Sequence, residues 1–151
     1  MKVLIQRSTK SSVTVNNQVV GSIGEGLTLF VGFAKNDTLQ ILEKMKEKII
    51  NMRIFSNDRG KFDYSLLDIT GELLLIPQFT LFADTAHGRR PEFFKAMSPD
   101  EATKMFDTFY EMCKEDIRIN NVQKGIFGAD MKVNVYNDGP VSIMVEIGDA
   151  S

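Results

Sequence analysis

The segment Leu73-Leu74-Leu75-Ile76-Pro77-Gln78-Phe79-Thr80-Leu81 begins as an uninterrupted apolar run. It then places polar or conformationally special residues where a purely structural strand would keep alternating. Gln78 and Thr80 have period-2 spacing, so their side chains share a face if the strand continues regularly. A plain strand end followed by a turn has the same pattern. The segment alone therefore leaves a functional strand end and an ordinary turn both open.

A second segment, Tyr136-Asn137-Asp138-Gly139-Pro140-Val141-Ser142, interrupts apolar sequence in the same way near the other end of the chain. We predict two strands, 132–136 and 141–147, on either side of a turn at Asp138-Gly139-Pro140. Glycine permits a sharp turn there, and proline makes a cis peptide bond conceivable. The sequence by itself is compatible with either isomer of Pro140.

The composition is that of an ordinary soluble globular protein, with 43% hydrophobic and 25% charged residues. We expect residues 1–151 to form a single domain. No apolar run approaches the length of a membrane span, and the N-terminus lacks a secretory pattern. With one cysteine, Cys113, and one histidine, the sequence offers neither an internal disulfide nor a zinc-site spacing. We therefore expect a cytoplasmic protein with no metal or other cofactor and no membrane partner.

The charge of the chain limits how it can contact nucleic acid. The formal net charge is −2 and the pI is about 5.4, whereas proteins that coat long stretches of nucleic-acid backbone are usually basic. If this chain contacts RNA or DNA, we expect it to hold a small part, such as an end. The pair Arg89-Arg90, between Gly88 and Pro91, is either an ordinary solvated pair or a bidentate phosphate-binding pair.

The predicted elements follow the order β-β-β-α-β-α-β-β, with strands in the majority. The first helix is predicted to be capped by Asp37, with Gln40 in a capping-box relation. The second is predicted to start at Ser98-Pro99-Asp100-Glu101, with a capping serine and a proline at the first helical position. The predicted fold class is α+β: a strongly curved, antiparallel-rich β-sheet or small β-barrel with two outer helices.

Few side chains are candidates for chemistry. Thr80 is the candidate nucleophile, but a threonine hydroxyl needs an adjacent base. Asp84 and His87 follow closely, yet His87 lies in a segment typical of an exposed loop, which disfavours a triad. The preferred interpretation is a Thr80 hydroxyl that is hydrogen-bonded within the sheet. Cys113 reads as a buried apolar residue of the second helix. Arg7 ends an apolar strand and is expected to have an acidic partner or an anionic ligand.

Short motifs spread along nearly the whole chain occur in an order that makes chance agreement improbable. They are Ser12-Val13-Thr14-Val15, Asn51-Met52-Arg53-Ile54-Phe55, Gly71-Glu72-Leu73-Leu74, Gln78-Phe79-Thr80-Leu81 with Ala83-Asp84-Thr85, Gly88-Arg89-Arg90-Pro91, Phe127-Gly128-Ala129-Asp130-Met131 and Asn137-Asp138-Gly139-Pro140. Together they resemble the D-aminoacyl-tRNA deacylases. This family hydrolyses the ester between a D-amino acid, or glycine, and the terminal adenosine of tRNA, a chiral proofreading step in translation.

The resemblance implies a homodimer. Gly139-Pro140 would be a Gly-cisPro element that enters the active site of the other subunit. Its main-chain carbonyls would face the α-carbon and amino group of the substrate, where an L side chain would clash. A D side chain points elsewhere and glycine has none, so selection would work by steric exclusion. The aminoacylated 3′ end of tRNA would be the substrate.

The resemblance also implies roles for individual residues. Gln78, Phe79 and Thr80 would line the reaction centre, where backbone N–H groups polarise the ester carbonyl and the ribose 2′-hydroxyl helps to activate water. Arg7 would support the pocket, and Arg89 and Arg90 could contact phosphates. Phe127 and Met131 would hold the terminal adenine. The remaining substrate-binding residues would be Pro77, Gly128, Ala129, Gly139 and Pro140.

The chain departs from the family pattern at two positions. Pro77 replaces the usual serine, and proline has neither a hydroxyl nor an N–H to donate. Ser142 replaces the usual threonine and keeps the hydroxyl. Two alternatives therefore stay open. One is an achiral deacylase that clears mischarged glycyl- or L-alanyl-tRNA and has a proline before its glutamine. The other is a non-catalytic, nucleic-acid-binding dimer.

Overall fold

A computed structural model describes residues 1–148, so residues 149–151 of the predicted domain lie outside the described part of the chain. The elements are β1 Lys2–Val15, β2 Gln18–Ile23, β3 Gly26–Gly32, α1 Leu39–Asn51, β4 Phe55–Ser56, β5 Phe62–Tyr64, β6 Glu72–Pro77, a 3-10 helix Phe79–Phe82, α2 Pro99–Glu115, β7 Asn121–Lys124 and β8 Lys132–Glu146.

Six strands form one mixed sheet in the order β2-β1-β3-β6-β7, with β8 also paired to β1. The pairs made by β1 are antiparallel, whereas β6 runs parallel to both β3 and β7. The sheet curves until β2 approaches β7. A Cβ on Gly21 would lie 2.9 Å from the carbonyl oxygen of Lys124, so the close approach requires glycine. The result is a nearly closed barrel with two helices, which confirms the predicted fold class.

The last strand differs from the prediction. The segments 132–136 and 141–147 are joined in one strand, β8. The predicted turn at Gly139-Pro140 is wrong. Strand β1 pairs with β8 on both sides of this dipeptide, and the register shifts between Gln6 and Ser11. Gly139-Pro140 is therefore a local irregularity within one continuous pair of strands.

Both helices bury an apolar face against the sheet. Helix α1 buries Leu42, Met45 and Ile49, and α2 buries Phe106 and Cys113. Burial raises the pKa of the Cys113 thiol to about 12, so the thiolate that a nucleophile requires does not form near neutral pH. The interpretation of this cysteine as a buried apolar residue is confirmed. Within residues 1–148 no helix has the length and apolar character needed to cross a membrane.

The helix starts are only partly as predicted. Thr38, not Asp37, caps α1, its hydroxyl accepting a hydrogen bond from the Ile41 N–H at 3.4 Å. The Asp37 carboxylate instead binds the Met1 amino group at 2.8 Å and the Ala34 N–H at 2.7 Å. Helix α2 begins at Pro99 as predicted, but the Ser98 side chain makes no capping bond. Asp37 therefore does not cap α1, because its carboxylate binds the buried Met1 amino group instead.

Asp116 connects the C-terminal end of α2 to α1. Its carboxylate lies 3.0 Å from Lys46 Nζ and 2.7 Å from the Arg118 guanidinium, and only 6% of its side chain is exposed. The Arg118 and Lys46 hydrogen bonds hold the pKa of Asp116 well below its usual range. This carboxylate therefore stabilises the folded chain at neutral pH, and the contribution is lost as pH falls from about 4 through its lowered folded pKa.

Asp116→Asn is expected to lower the free energy of unfolding at pH 7 by about 1–3 kcal/mol, since it removes hydrogen bonds to charged groups. The deficit should shrink as pH falls below about 4. Urea unfolding at several pH values measures both effects. Asp107→Asn is the control, because Asp107 is 59% exposed and lies 3.6 Å from Lys124. A constant deficit at all pH values would contradict the assignment.

Candidate active site

A cavity of about 630 Å³ opens where β6 ends. Three segments enclose it: the end of β6 with the start of the 3-10 helix, the loop before β8, and the residues that lead into α2. Most of the wall is apolar. The lining residues are Ile76, Pro77, Gln78, Phe79, Phe93, Ala96, Met97, Ser98, Pro99, Phe127, Gly128, Ala129, Met131 and Val133.

The chain turns sharply at Gln78. Strand β6 ends at Pro77, where β7 no longer provides a neighbour and proline has no N–H for a further ladder bond. The Gln78 N–H donates to the Val31 carbonyl at 2.7 Å, and the 3-10 helix follows at once. Of the two alternatives left open for this segment, the strand therefore ends in a turn and does not continue regularly to Thr80. The Gln78 amide nevertheless donates to the Thr80 hydroxyl, so the two side chains do meet.

The turn leaves backbone N–H groups without an acceptor at the end of the 3-10 helix that borders the cavity. The Leu81 N–H is the first to bond back to the Gln78 carbonyl, so the N–H groups of Phe79 and Thr80 precede the first bond of the helix, where an N–H has no acceptor within it. Phe79 lines the cavity and is half-exposed. Two neighbouring N–H groups of this kind can donate to an oxygen that gains negative charge during a reaction.

Thr80 has no general base beside it in the described chain. Its hydroxyl contacts the Gln78 amide, the Asp84 carboxylate accepts the Ala86 N–H, and His87 lies in an exposed loop. The disfavoured side-chain triad thus has no geometric support. The preferred interpretation, a Thr80 hydroxyl hydrogen-bonded within the sheet, is also wrong, because Thr80 lies in the 3-10 helix that follows the sheet. Thr80 does not line the cavity.

The loop before β8 forms the opposite wall and is anchored at both ends. The Phe127 ring packs against Phe106 of the main core, with centroids 6.4 Å apart. Met131 packs on a second apolar cluster that includes Val13 and Leu74. Between these anchors, Gly128 and Ala129 line the cavity. A largely apolar wall of this kind suits a planar ring such as a nucleobase.

Sequence reasoning missed the third wall. Phe93 lies edge-on to Phe79 with centroids 5.0 Å apart, and Ala96 and Met97 continue the surface. Ser98 and Pro99 also line the cavity, although their pattern indicated only a helix start. The two aromatic residues Phe93 and Phe94 just before that start were the available signal.

Arg7 and Gly139-Pro140 form a separate cluster. Arg7 is 8% exposed and donates from Nε to the Asp138 carbonyl at 3.0 Å. Its Nη1 donates to the Ile54 carbonyl at 2.9 Å and the Ser56 hydroxyl at 3.1 Å. The Asp138 carboxylate lies 3.7 Å from Nε, which confirms the expected acidic partner. The segment is thus held at a buried guanidinium.

The backbone conformation at Gly139-Pro140 depends on the glycine and the proline themselves. The Gly139–Pro140 peptide bond is cis. Gly139 has φ +128°, and a Cβ there would lie 2.9 Å from Val141 Cγ2 and 3.0 Å from Arg7 Nη2, so no other residue fits. The Asn137 side chain accepts the Val141 N–H at 2.8 Å and donates to the Ser142 hydroxyl at 2.9 Å.

The predicted site residues other than Thr80, which follows Phe79 just outside the cavity, therefore fall into two groups within one chain. The cavity brings together Pro77, Gln78, Phe79, Phe127, Gly128, Ala129 and Met131. Arg7, Gly139 and Pro140 do not line it, and both Gly139 and Pro140 are exposed. Within residues 1–148 no group of three or more histidine, cysteine, aspartate or glutamate side chains is placed to hold a metal ion.

Comparison with known proteins gives the family. A model of the D-Tyr-tRNA(Tyr) deacylase family matches residues 4–146. D-aminoacyl-tRNA deacylases from Clostridium perfringens (strain SM101 / Type A) and Clostridium novyi (strain NT) are 48% and 45% identical to this chain, each alignment covering 97% of both proteins.

Two solved structures share the fold. A c-Myc DNA unwinding element binding protein superposes with a TM-score of 0.92 at 37% identity, over 99% of this chain and 100% of its own. A probable eukaryotic D-amino acid tRNA deacylase has a TM-score of 0.77 at 18% identity, over 97% and 98% of the two chains, and supports the fold alone. By its motifs, its fold and these relatives, the chain belongs to the D-aminoacyl-tRNA deacylase family and is a hydrolase that acts on ester bonds.

Proposed function

We propose that two copies of this chain form a homodimer in which the cavity of one subunit and Gly139-Pro140 of the other make one site. The site removes D-amino acids from the 3′ end of tRNA. The observation that carries the proposal is the separation of two groups of predicted site residues. The cavity has a largely apolar wall and borders the unpaired N–H groups at the start of the 3-10 helix, whereas Gly139-Pro140 is exposed and held by Arg7 yet lies outside the cavity.

The chemistry requires no protein nucleophile. Water attacks the ester carbonyl, and the Phe79 and Thr80 N–H groups donate to the oxygen that becomes negatively charged. The ester bond then breaks, releasing the amino acid and leaving the ribose hydroxyl on the tRNA. The ribose 2′-hydroxyl orients the water, accepts a proton from it and passes its own proton to the departing ribose oxygen, so no charge is left on either product oxygen of the ribose. Backbone donors of this kind contribute about 3–4 kcal/mol to hydrolytic transition states, which suits a reactive aminoacyl ester.

Chirality is selected by exclusion. The carbonyl oxygens of the partner's Gly139-Pro140 face the α-carbon of the substrate and block an L side chain. Glycine has no side chain to exclude, so glycyl-tRNA(Ala) is also a substrate. Because no pocket reads the side chain itself, one site serves many D-amino acids. The role is quality control of translation in the cytoplasm, without a metal or other cofactor.

One observation favours a second candidate activity. Pro77 lines the cavity directly before Gln78 and offers no side-chain donor there. An achiral deacylase that clears glycyl- and L-alanyl-tRNA would tolerate this position, and it would hydrolyse an L ester. The relative named for binding a DNA unwinding element raises a third candidate, a nucleic-acid-binding dimer. That candidate predicts binding to long DNA without hydrolysis, and the acidic pI of about 5.4 disfavours it.

Release of amino acid from D-Tyr-tRNA, L-Tyr-tRNA, L-Ala-tRNA and glycyl-tRNA(Ala) separates these candidates. With chelator present, the purified chain is expected to hydrolyse the D-tyrosyl and glycyl esters and to spare the L-tyrosyl ester. Hydrolysis of L-Ala-tRNA at a rate similar to that of glycyl-tRNA would favour the achiral deacylase. Survival of all esters, with salt-sensitive binding to DNA, would favour the binding protein.

A further inference from the structure

An exposed arm leaves the cavity wall between the 3-10 helix and α2. We use the name Arg arm for residues 85–94. Its base is fixed, because Asp84 and Glu92 form an antiparallel bridge with N–H···O distances of 2.7 and 3.0 Å. The Ala86 N–H donates to the Asp84 carboxylate at 2.9 Å. All residues from 85 to 91 are exposed. The arm is therefore an exposed loop whose two ends are held together by the Asp84–Glu92 bridge.

The Arg arm presents two guanidinium groups to solvent. Arg7, Arg53 and Arg118 each lie within ion-pair distance of a carboxylate. Within residues 1–148, Arg89 and Arg90 have no such partner. Residues 85–91 contain no acidic side chain, and the two acidic residues at the base of the arm, Asp84 and Glu92, form no ion pair with either arginine. On a chain of net charge −2, the arm is a local site for an anion, and guanidinium groups suit phosphate oxygens.

Aromatic rings connect the arm to the cavity. Phe93 lines the cavity and contacts Phe79 edge-on at 5.0 Å. The next residue, Phe94, is 70% exposed, which is unusual for so large an apolar ring. Two arginines and an exposed aromatic ring on one short segment form the combination that binds single-stranded nucleic acid, with stacking on the ring and charge along the backbone.

We propose that the Arg arm binds the single-stranded nucleotides that precede the terminal adenosine of tRNA. Arg89 and Arg90 contact their phosphates, and Phe94 stacks on a base. The inference rests on the proposed function, since it places the terminal adenosine in the cavity and the preceding nucleotides at its rim. Electrostatic contact confined to one arm also explains how an acidic protein holds a tRNA end.

Two substrates separate arm contacts from the chemistry. One is D-Tyr-tRNA, and the other is the D-tyrosyl ester of adenosine, which has no phosphate. For Arg89→Ala/Arg90→Ala, kcat/KM on the tRNA is expected to fall roughly tenfold or more at 50 mM salt, whereas the adenosine ester changes by less than about twofold. The slope of log kcat/KM against log salt should become less negative by about 1.4, since each single-strand phosphate contact contributes about 0.7.

Matched variants distinguish local contact from net charge. Lys44→Ala/Lys48→Ala removes two exposed charges from α1, which contributes no residue to the cavity, and is expected to leave both substrates unchanged. Arg89→Lys/Arg90→Lys should keep most of the salt slope. Phe94→Ala should lower kcat/KM on the tRNA by roughly 5- to 150-fold with little change in the salt slope.

A binding measurement keeps the inference falsifiable if the chain does not hydrolyse these esters. By fluorescence anisotropy, the chain is expected to bind an RNA hairpin with a short single-stranded 3′ end more tightly than the same hairpin with a blunt end. Arg89→Ala/Arg90→Ala should abolish the difference. Equal affinity of wild type for both hairpins, or an unaffected difference in the variant, would overturn the role of the arm. Absence of ester hydrolysis with arm-dependent RNA binding would overturn the proposed function alone.

Discussion

Arg7→Ala is expected to lower the ratio of D- to L-Tyr-tRNA hydrolysis by about tenfold or more, because a loss of about 1.4 kcal/mol in steric exclusion already gives that factor. The guanidinium holds the Asp138 carbonyl, the Ile54 carbonyl and the Ser56 hydroxyl at once. Without it, Gly139-Pro140 loses its support from β1 and from the β4–β5 hairpin. The rate on the D ester should fall much less than the selectivity.

Stability controls accompany this variant. Removing a buried charged donor is expected to lower the free energy of unfolding by about 2–4 kcal/mol, since buried acceptors lose their partner. Arg7→Lys keeps one charged donor without the planar fork, so its selectivity should lie between those of wild type and Arg7→Ala. Parallel rates on the two esters, with urea unfolding of each variant, measure these effects. An unchanged selectivity ratio in a folded Arg7→Ala dimer would contradict the role of Gly139-Pro140.

Ala129→Phe is expected to lower kcat/KM for D-Tyr-tRNA by about 100-fold or more, because even a displacement of about 1 Å of a bound substrate has effects of that size. Ala129 lines the cavity between the anchored residues Phe127 and Met131, so a phenyl group there occupies the space assigned to the terminal adenosine. Selectivity between the remaining D and L rates should be unaffected.

Val19→Phe is the control for this substitution. Val19 is 62% exposed on β2 and does not line the cavity, so an added ring there should leave kcat/KM unchanged. Thermal unfolding of both variants shows whether the ring at position 129 acts by blocking the cavity or by disturbing the fold. Near-normal activity of a stable Ala129→Phe protein would exclude this cavity as the substrate site.

Local patterns were enough to predict the two helices and the fold class. The apolar run 73–76 became a buried strand, and Ser98-Pro99 did mark the start of α2. The single strand through Gly139-Pro140 could not be predicted from its own residues, because continuity there depends on pairing with β1, which lies more than a hundred residues earlier. Strand β7 was missed because it is four residues long with one apolar residue, Val122.

Only part of the candidate site could be predicted from the sequence, because the rest also depends on contacts between segments that are distant in sequence. The cavity residues on either side of Gln78 and around Ala129 lie in recognisable motifs, so their grouping was expected. Phe93 and Met97 belong to no such motif, and their place in the wall follows from the packing of the segment before α2. The capping role of Asp37 failed because its partner, the Met1 amino group, is remote in sequence.

Mixed dimers test the central claim, that the cavity of one subunit works with Gly139-Pro140 of the other. Ala129→Phe has a blocked cavity and an intact Gly139-Pro140, while Arg7→Ala has an open cavity and a displaced Gly139-Pro140. In a dimer of one copy of each, the open cavity would receive the intact element of its partner. Only that cavity would turn over substrate.

The measurement is L-Tyr-tRNA hydrolysis by the Arg7→Ala chain refolded together with a ninefold excess of the Ala129→Phe chain. With random pairing in a twofold dimer, about nine tenths of the open cavities would then have an intact partner element. We expect L hydrolysis per Arg7→Ala chain to fall about tenfold, with D hydrolysis retained. L hydrolysis that does not change on mixing would mean that each chain reads chirality with its own Gly139-Pro140 or not with this element at all.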